Sequence, residues 1–362
     1  MKLFTCLYGY IRFLIVIIQN IYVIPCYLVI NWVFLLPLRL IKPSLFYKIE
    51  NNLYSWTLYV VSSWSWLAGI QVFELGVNLS EIAPNNKRKP KFLVVSNHQS
   101  TADVPLVMYN MTSHPELIKM WVISAEFKYT NFGPVSLTHE DYFLSQKRYV
   151  KGDLVKHCLG LGDQRKNCYV LFPEGGFRYK RIQTSDSFAA KNGLPSLKRV
   201  VWPRYGAFEE LADVRLGVTH IVDLTILYAD QDKTLSIIDI AKGIRREPVY
   251  FVYRVFELDC DDDDDDDVSP ITDGSPQNEL RHTARNRLNL EWLQNLWKEK
   301  EQLIEDFYSD QENFFQTYGN GRPIDLSYSK LFFIHIFFIS IMTAIILSLY
   351  TLYILIAHVL FS

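Results

Sequence analysis

Cysteine is scarce in this chain and carries no pattern. The five present (Cys6, Cys26, Cys158, Cys168 and Cys260) are scattered through 362 residues, odd in number and without a C-x-x-C pair. That argues against a disulfide framework and against a zinc site, and it fits a reducing, cytosol-facing compartment. A charge excess is also missing: 37 Lys and Arg face 39 Asp and Glu, a net charge of −2. A balance this close to neutral predicts no nucleic-acid partner and no wholesale basic membrane surface. There is no Gly-x-Ser-x-Gly elbow, so an acyl-enzyme on a serine of that type has no support. No internal repeat is present, and no metal is expected.

Charge is absent locally as well. From Leu331 to Ser362 there is no Lys, Arg, Asp or Glu. At ~1.5 Å per helical residue this segment reaches on the order of 48 Å, more than the ~30 Å hydrocarbon slab, which predicts one tilted, overlong span or a bent hairpin. A second run, Leu7 to Leu40, is almost wholly apolar and is broken by Arg12, Asn20, Pro25 and Asn31. It extends far beyond the h-region of a signal peptide and lacks a small-x-small cleavage site, so it reads as a membrane segment. A third, Leu53 to Phe73, carries Trp56, Trp64 and Trp66 and reads as an interfacial or re-entrant helix. Arg39, Lys42 and Lys48 follow the first run, while Arg322 and Lys330 precede the last. By the positive-inside rule the middle of the chain faces the cytosol. Lys2 and Arg12 pull the other way, and a hairpin at the amino end satisfies both. The sequons at Asn78 and Asn110 are then expected to carry no glycan.

Between the apolar ends the pattern is strand, helix, strand. Strands are expected at Phe92–Ser96, Met120–Ser124, Val135–Leu137, Cys168–Phe172, Val222–Tyr228 and Val249–Phe256. Helices are expected at Val104–Thr112, Tyr149–Leu161 and around Ser187–Lys191. Apolar strands alternating with helices predict an α/β fold with a mainly parallel sheet flanked by helices. The tract Asp259 and Asp261–Asp267 repels itself and reads as a disordered loop; it lacks the spaced ligands and glycine of a calcium loop. Leu288 to Phe307 has apolar residues at helical spacing and reads as an amphipathic helix on the domain or the membrane surface. The resulting organisation is residues 1–75 as membrane-embedded and interfacial helices and 76–258 as the catalytic domain. A loop at 259–279, an amphipathic segment at 280–329 and a transmembrane segment at 330–362 follow.

Two motifs carry chemistry. Asn97-His98-Gln99-Ser100-Thr101-Ala102-Asp103 follows the first central strand, so the imidazole emerges where a buried strand leaves its sheet, the edge at which such sheets expose ligand crevices. A carboxylate five positions on, across the start of a helix, can turn back onto Nδ1–H and raise the basicity of Nε2. Leu171-Phe172-Pro173-Glu174-Gly175-Gly176-Phe177 also leaves a buried strand and is followed by Arg178, Lys180 and Arg181. Paired glycines expose backbone N–H groups to an oxyanion, and the basic side chains supply counter-charge for phosphate. Each motif alone has a bland reading, a helix cap and an ordinary glycine turn. Together they favour transfer chemistry on a phosphorylated substrate. With no serine or cysteine nucleophile in a recognisable motif, the His98/Asp103 base is expected to activate a substrate hydroxyl, and the membrane segments make that substrate a lipid.

On these residues the chain resembles the glycerolipid acyltransferase family, the acylglycerophosphate acyltransferases. Asn97-His98-x4-Asp103 is similar to the family's block one, Phe172-Pro173-Glu174-Gly175 to its block three, and Trp202-Pro203-Arg204 to its later Pro-containing block. Phe127 to Gly133, Phe172 to Phe177, Asn192-Gly193-Leu194-Pro195 and the stretch Lys298-Glu299-Lys300-Glu301 resemble its acyl-CoA:lysophosphatidylglycerol acyltransferase branch. The resemblance implies transfer of an acyl chain from acyl-CoA, a co-substrate rather than a cofactor, to the free glycerol hydroxyl of a lysophospholipid. It implies His98 as base, Asp103 as its orienting partner, and endoplasmic-reticulum membrane as the location. Block three usually reads Glu-Gly-Thr-Arg, but Gly176 and Phe177 stand in the last two positions here. The arginine usual in block two after Gly133 is absent, with His139 and Glu140 in that neighbourhood. Substrate binding is therefore expected from Glu174, Gly175, Gly176, Arg178, Lys180, Arg181, Pro203, Arg204, Lys147 and Arg148. A lysophospholipid with a larger head group fits this set better than a simple glycerol phosphate. Two alternatives stay open: transfer to monoacylglycerol, and a catalytically silent membrane adaptor.

Overall fold

The computed structural model describes residues 2–82, 89–145, 147–162, 165–230, 233–258, 281–283 and 288–361. The acidic tract expected as a loop at 259–279 lies outside the described residues. The chain opens with a long helix, α1 (Lys2–Val29), a π-turn at Ile30–Phe34, α2 (Leu36–Ile41) and α3 (Pro43–Leu67). Then come β1 (Val72–Gly76), β2 (Phe92–Ser96), α4 (Asp103–Asn110), β3 (Lys119–Ser124), α5 (Gly133–Thr138), β4 (Tyr142–Leu144), α6 (Asp153–Leu161) and β5 (Cys168–Leu171). The second half holds α7 (Arg178–Asn192), α8 (Tyr205–Leu211), β6 (His220–Tyr228), α9 (Ile237–Lys242), β7 (Val249–Glu257) and β8 (Arg281–Thr283). It ends with α10 (Leu290–Ser309), α11 (Gln311–Tyr318), β9 (Arg322–Ile324) and α12 (Tyr328–Phe361).

Among the described residues, nine strands join one sheet, in the order β4-β3-β5-β2-β6-β7-β1-β9, with β8 paired to β7. The run from β4 to β6 is parallel, and only the β6–β7 and β1–β9 pairs are antiparallel. This is the mainly parallel, helix-covered sheet expected from the sequence. Side chains alternate across it as the strand period requires. Phe92 and Val94 of β2 enter one core with residues of α1, α3, α4 and α12, while Leu93 and Val95 enter another with α6, α8 and α10. Both faces are covered, which is why the central strands read as unbroken apolar runs.

Three local expectations are corrected. Val135–Leu137 is part of α5, because Pro134 at the first helical turn fixes a helical φ and a triplet with a single β-branched residue, Val135, is too short to decide. The helix expected around Ser187–Lys191 runs from Arg178 to Asn192 and stops at Gly193, which adopts φ +64°. Leu53–Phe73 is not one helix: Leu53, Tyr54, Thr57, Leu58 and Val61 are buried in α3, which lies against α4, and Val72–Phe73 already belong to β1. Of the two settings left open for Leu288–Phe307, the domain surface is the one found. Leu293, Leu296, Trp297, Leu303, Ile304 and Phe307 of α10 are buried in the second core. Two stretches, Phe4–Phe34 and Tyr328–Leu360, are helices long and apolar enough to cross a membrane.

Candidate active site

Both motifs leave neighbouring parallel strands at the same edge of the sheet. Val95 of β2 pairs in register with Leu171 of β5, so Asn97-His98 and Phe172-Pro173-Glu174 emerge side by side. On the other flank, Ser96 pairs with Leu224, and β6 runs on for four residues past that point to Tyr228. Asn97 closes the exposed end of this ladder with its side chain. Its Nδ2 donates to the Ile226 carbonyl at 3.2 Å, and its Oδ1 accepts the Ile226 N–H at 2.8 Å. Gln99 adds a second bond to the same carbonyl at 2.9 Å. The segment bearing His98 is thereby fixed before any substrate arrives.

His98 Nδ1 lies 2.8 Å from Asp103 Oδ2. Asp103 opens α4 and is wholly buried. The same Oδ2 accepts the N–H groups of Gln99 at 2.6 Å and Ser100 at 2.9 Å, while Oδ1 accepts the Tyr228 hydroxyl. With its other lone pairs engaged by donors, the carboxylate accepts from Nδ1–H, which leaves Nε2 unprotonated and able to take a proton. Burial, and then the Asp103 charge, push the Tyr228 phenol well above its ordinary pKa, so it stays a donor. Two rings pack against the imidazole, Phe172 at 4.4 Å and Phe177 at 4.5 Å.

Beside the dyad is the glycine turn. Gly175 has φ +72° and Gly176 φ +151°, conformations open to glycine. A Cβ on Gly176 would sit 2.9 Å from Arg181 Nε, and Arg181 Nη2 donates to the Gly175 carbonyl at 2.8 Å. The guanidinium thus comes into this turn from α7, while Phe177 occupies the position where the resemblance leads one to expect an arginine. Arg178 ties the two motifs together: its N–H donates to the His98 carbonyl at 2.7 Å, and its guanidinium reaches the Lys198 carbonyl. Arg204 N–H donates to the Pro173 carbonyl at 2.7 Å. Glu174, Arg181, Trp202, Pro203 and Arg204 then line one pocket of about 370 Å³. Partial burial, and then the Arg181 charge beside it, lower the Arg204 pKa.

Glu174, Gly175, Gly176 and Arg178 thus adjoin the His98 segment, while Arg181, Pro203 and Arg204 share with Glu174 a pocket whose lining includes neither His98 nor Asp103. Lys180 is exposed, with its ammonium over the rings of Phe177 and Tyr179. Lys147 and Arg148 are exposed beyond β4, which is three strands from β2, ~14 Å at the usual strand spacing. His139 and Glu140 lie elsewhere, His139 buried against Glu50 at 2.8 Å and Glu140 paired with Arg39 and Arg165. Burial pushes the Cys158 and Cys168 thiols up to about 12, which suits packing rather than nucleophilic attack. A larger cavity of about 840 Å³ lies between α3, the end of α4 and Lys119, away from the dyad.

Sequence reasoning missed Tyr228, Trp297 and the ion cluster of Asp223, Arg254 and Lys300 behind the site. A signal existed for the last three: Asp223 and Arg254 interrupt apolar strands, and Lys300 falls on the apolar face of its helix.

Comparison with known proteins follows the same lines. A family model described as Acyltransferase matches residues 77–221. The chain is 33% identical to acyl-CoA:lysophosphatidylglycerol acyltransferase 1 of Homo sapiens, and again 33% identical to its Mus musculus counterpart. Each match covers 82% of this chain and 80% of the relative. It is 29% identical, over 64% of its length and 56% of the relative, to a putative 1-acyl-sn-glycerol-3-phosphate acyltransferase of Caenorhabditis elegans, acl-12. No solved structure matches the chain significantly.

Proposed function

The chain belongs to the acyltransferase family, and from that premise we propose a membrane-bound enzyme moving an acyl chain from acyl-CoA to a lysophospholipid. The acceptor is the free glycerol hydroxyl of lysophosphatidylglycerol or a lysolipid with a related head group. The observation that carries this reading is the His98–Asp103 pair at 2.8 Å, set beside a glycine turn and two arginines. His98 Nε2 takes the proton of the acceptor hydroxyl as its oxygen attacks the thioester carbonyl. The C–S bond breaks, and His98 returns the proton to the departing thiolate, giving an ester and free coenzyme A. General-base help contributes roughly 10²–10⁴-fold, so positioning has to supply much of the rest. The scheme uses no metal and no resident cofactor. Arg181 and Arg204 supply counter-charge for the phosphate of the acceptor. The two long apolar helices anchor the enzyme, which we place in the endoplasmic reticulum with the site facing the cytosol, in phospholipid synthesis or remodelling.

Radiolabelled acyl-CoA presented with a panel of lysolipids and monoacylglycerol tests this directly. His98→Ala and Asp103→Ala should each abolish transfer while leaving the protein in the membrane fraction. His98→Ala at near wild-type rate would sink the mechanism. Arg204→Gln should raise KM for phosphate-bearing acceptors; an unchanged KM together with turnover on monoacylglycerol would favour the neutral acceptor. A wild-type chain inert toward the whole panel would favour a silent adaptor.

A further inference from the structure

Helix α10 lies outside the residues matched by the family model, yet it holds the Glu174 turn and the segment leading to Pro203. Trp297 is fully buried, and its indole Nε1–H donates to Glu174 Oε1 at 3.2 Å. Three residues on, the buried Lys300 donates to the Leu224 carbonyl and to Thr225 Oγ1, both at 2.9 Å, and pairs with Asp223. Arg254 of β7 holds that aspartate at 2.7 and 2.9 Å and reaches Glu299 of α10 at 2.8 Å. These bonds lock the rotation and height of α10 against β6 and β7. Glu301 then accepts the N–H groups of Lys198, Arg199 and Val200 at 2.5, 2.8 and 3.0 Å, immediately before Trp202-Pro203-Arg204.

We infer that Trp297 is a positioning residue of the transfer reaction, its indole holding Glu174 in place behind the His98 segment from a helix clamped to the sheet by Lys300. The inference rests on the acyl-transfer reading above. Glu174 is buried beneath the turn, and the groups facing it come from three sides. They are the His98 main chain and Asp103, Arg181 and Arg204 of the shared pocket, and Trp297 with Lys300 on α10. Burial pushes the Glu174 carboxyl up to about 8, against the opposing pull of Trp297, His98 and Lys300. Near neutral pH Glu174 therefore carries a proton, and which oxygen holds it depends on the bond that engages the other. Transfer should decline as pH rises through about 8, when Glu174 ionises near Asp103.

Trp297→Phe keeps a ring in the core and removes the donor. Expected is a fall in kcat of about tenfold, with KM for both substrates held within about twofold. The alkaline limb of the pH profile should move upward, since the lost bond favoured the carboxylate. Neither effect should appear in a Glu174→Met background, which removes the acceptor of the indole N–H, and there the double variant should match the single one. A merely structural tryptophan would lower activity by the same factor in both backgrounds and leave the shape of the pH profile alone; that outcome overturns the inference, as does wild-type kcat in Trp297→Phe. If the phenylalanine variant does not fold, benzothienylalanine at 297, which exchanges only the N–H for sulfur, carries the same test. A wild-type protein that acylates no lysolipid would instead remove the functional reading beneath it.

Discussion

Phe177 packs its ring 4.5 Å from His98, which also has Phe172 at 4.4 Å, in the position where an arginine is usual. Two rings restrict the imidazole to the plane that serves Asp103 and shield it from water, while Arg181 brings positive charge to the turn. Phe177→Ala should therefore lower kcat by about ten- to a hundredfold through misplacement of the base, measured as steady-state transfer with the fold checked by melting. Asp103→Asn asks a sharper question. The asparagine amide can oppose Nδ1 with N–H groups instead of an acceptor, so the tautomer that leaves Nε2 free is lost, and transfer should fall by roughly 10²–10⁴-fold. The two residues of this pair were legible in the sequence because their spacing is local: five positions bring a strand end and the first turn of a helix together. Tyr228, which holds the other oxygen of Asp103, lies 125 positions away. Only the register of β2 on β6 brings it there, and register across a parallel sheet is not written in either strand alone.

At the scale of elements, α10 shows how far pattern reading reaches. Its apolar spacing announced a helix with one buried face, and Lys300 sits on that face between Trp297 and Leu303. The period gave the position of a buried lysine but not its partner, because Asp223 and Arg254 arrive from β6 and β7 through long-range pairing. Lys300→Met leaves a fully buried aspartate with Arg254 as its remaining ion-pair partner and should destabilise the fold by ~3–5 kcal/mol, the range for breaking a buried pair. Adding Asp223→Asn should recover part of that loss in denaturant unfolding. The sign of the pH dependence follows from Asp223. Burial raises its pKa, but Lys300 and Arg254 outweigh burial and hold it below the ordinary value. The stabilisation is then present above the unfolded value of ~3.9 and is lost as pH falls through the lower folded value. Glu301 makes a separate point about loops. By accepting three consecutive N–H groups it shapes the approach to Pro203 and Arg204, so Glu301→Gln should raise the acceptor KM a few-fold while leaving His98 chemistry intact.

For the molecule as a whole, the apolar ends have to be reconciled with the sheet they flank. Leu331, Ile334 and Phe338 of α12 are buried against α1 and α3, whereas Ile346, Leu347, Leu349, Tyr350 and Leu352–Ile356 stand exposed. One half of this helix is thus part of the domain core, and the other presents an apolar surface larger than a water-soluble monomer tolerates. On the proposed reading a bilayer covers such a surface, and the basic residues before it, Arg322 and Lys330, are what would set the proposed orientation. The two sequons do not test that orientation equally. Asn110 is fully buried, donates to Glu74 at 3.0 Å and accepts from Tyr253, so a glycan there is incompatible with the fold on either side of the membrane. Asn78 is partly exposed at the start of a short 3₁₀ turn, with its side chain accepting from Ser80 N–H at 3.2 Å and donating to Glu81 at 2.8 Å. Only Asn78 is therefore informative. Translation into microsomes should give one band that a glycosidase leaves unmoved, and Asn78→Gln should migrate with it. A glycosidase-sensitive band that disappears in Asn78→Gln would put the catalytic domain in the lumen and reverse the proposed orientation.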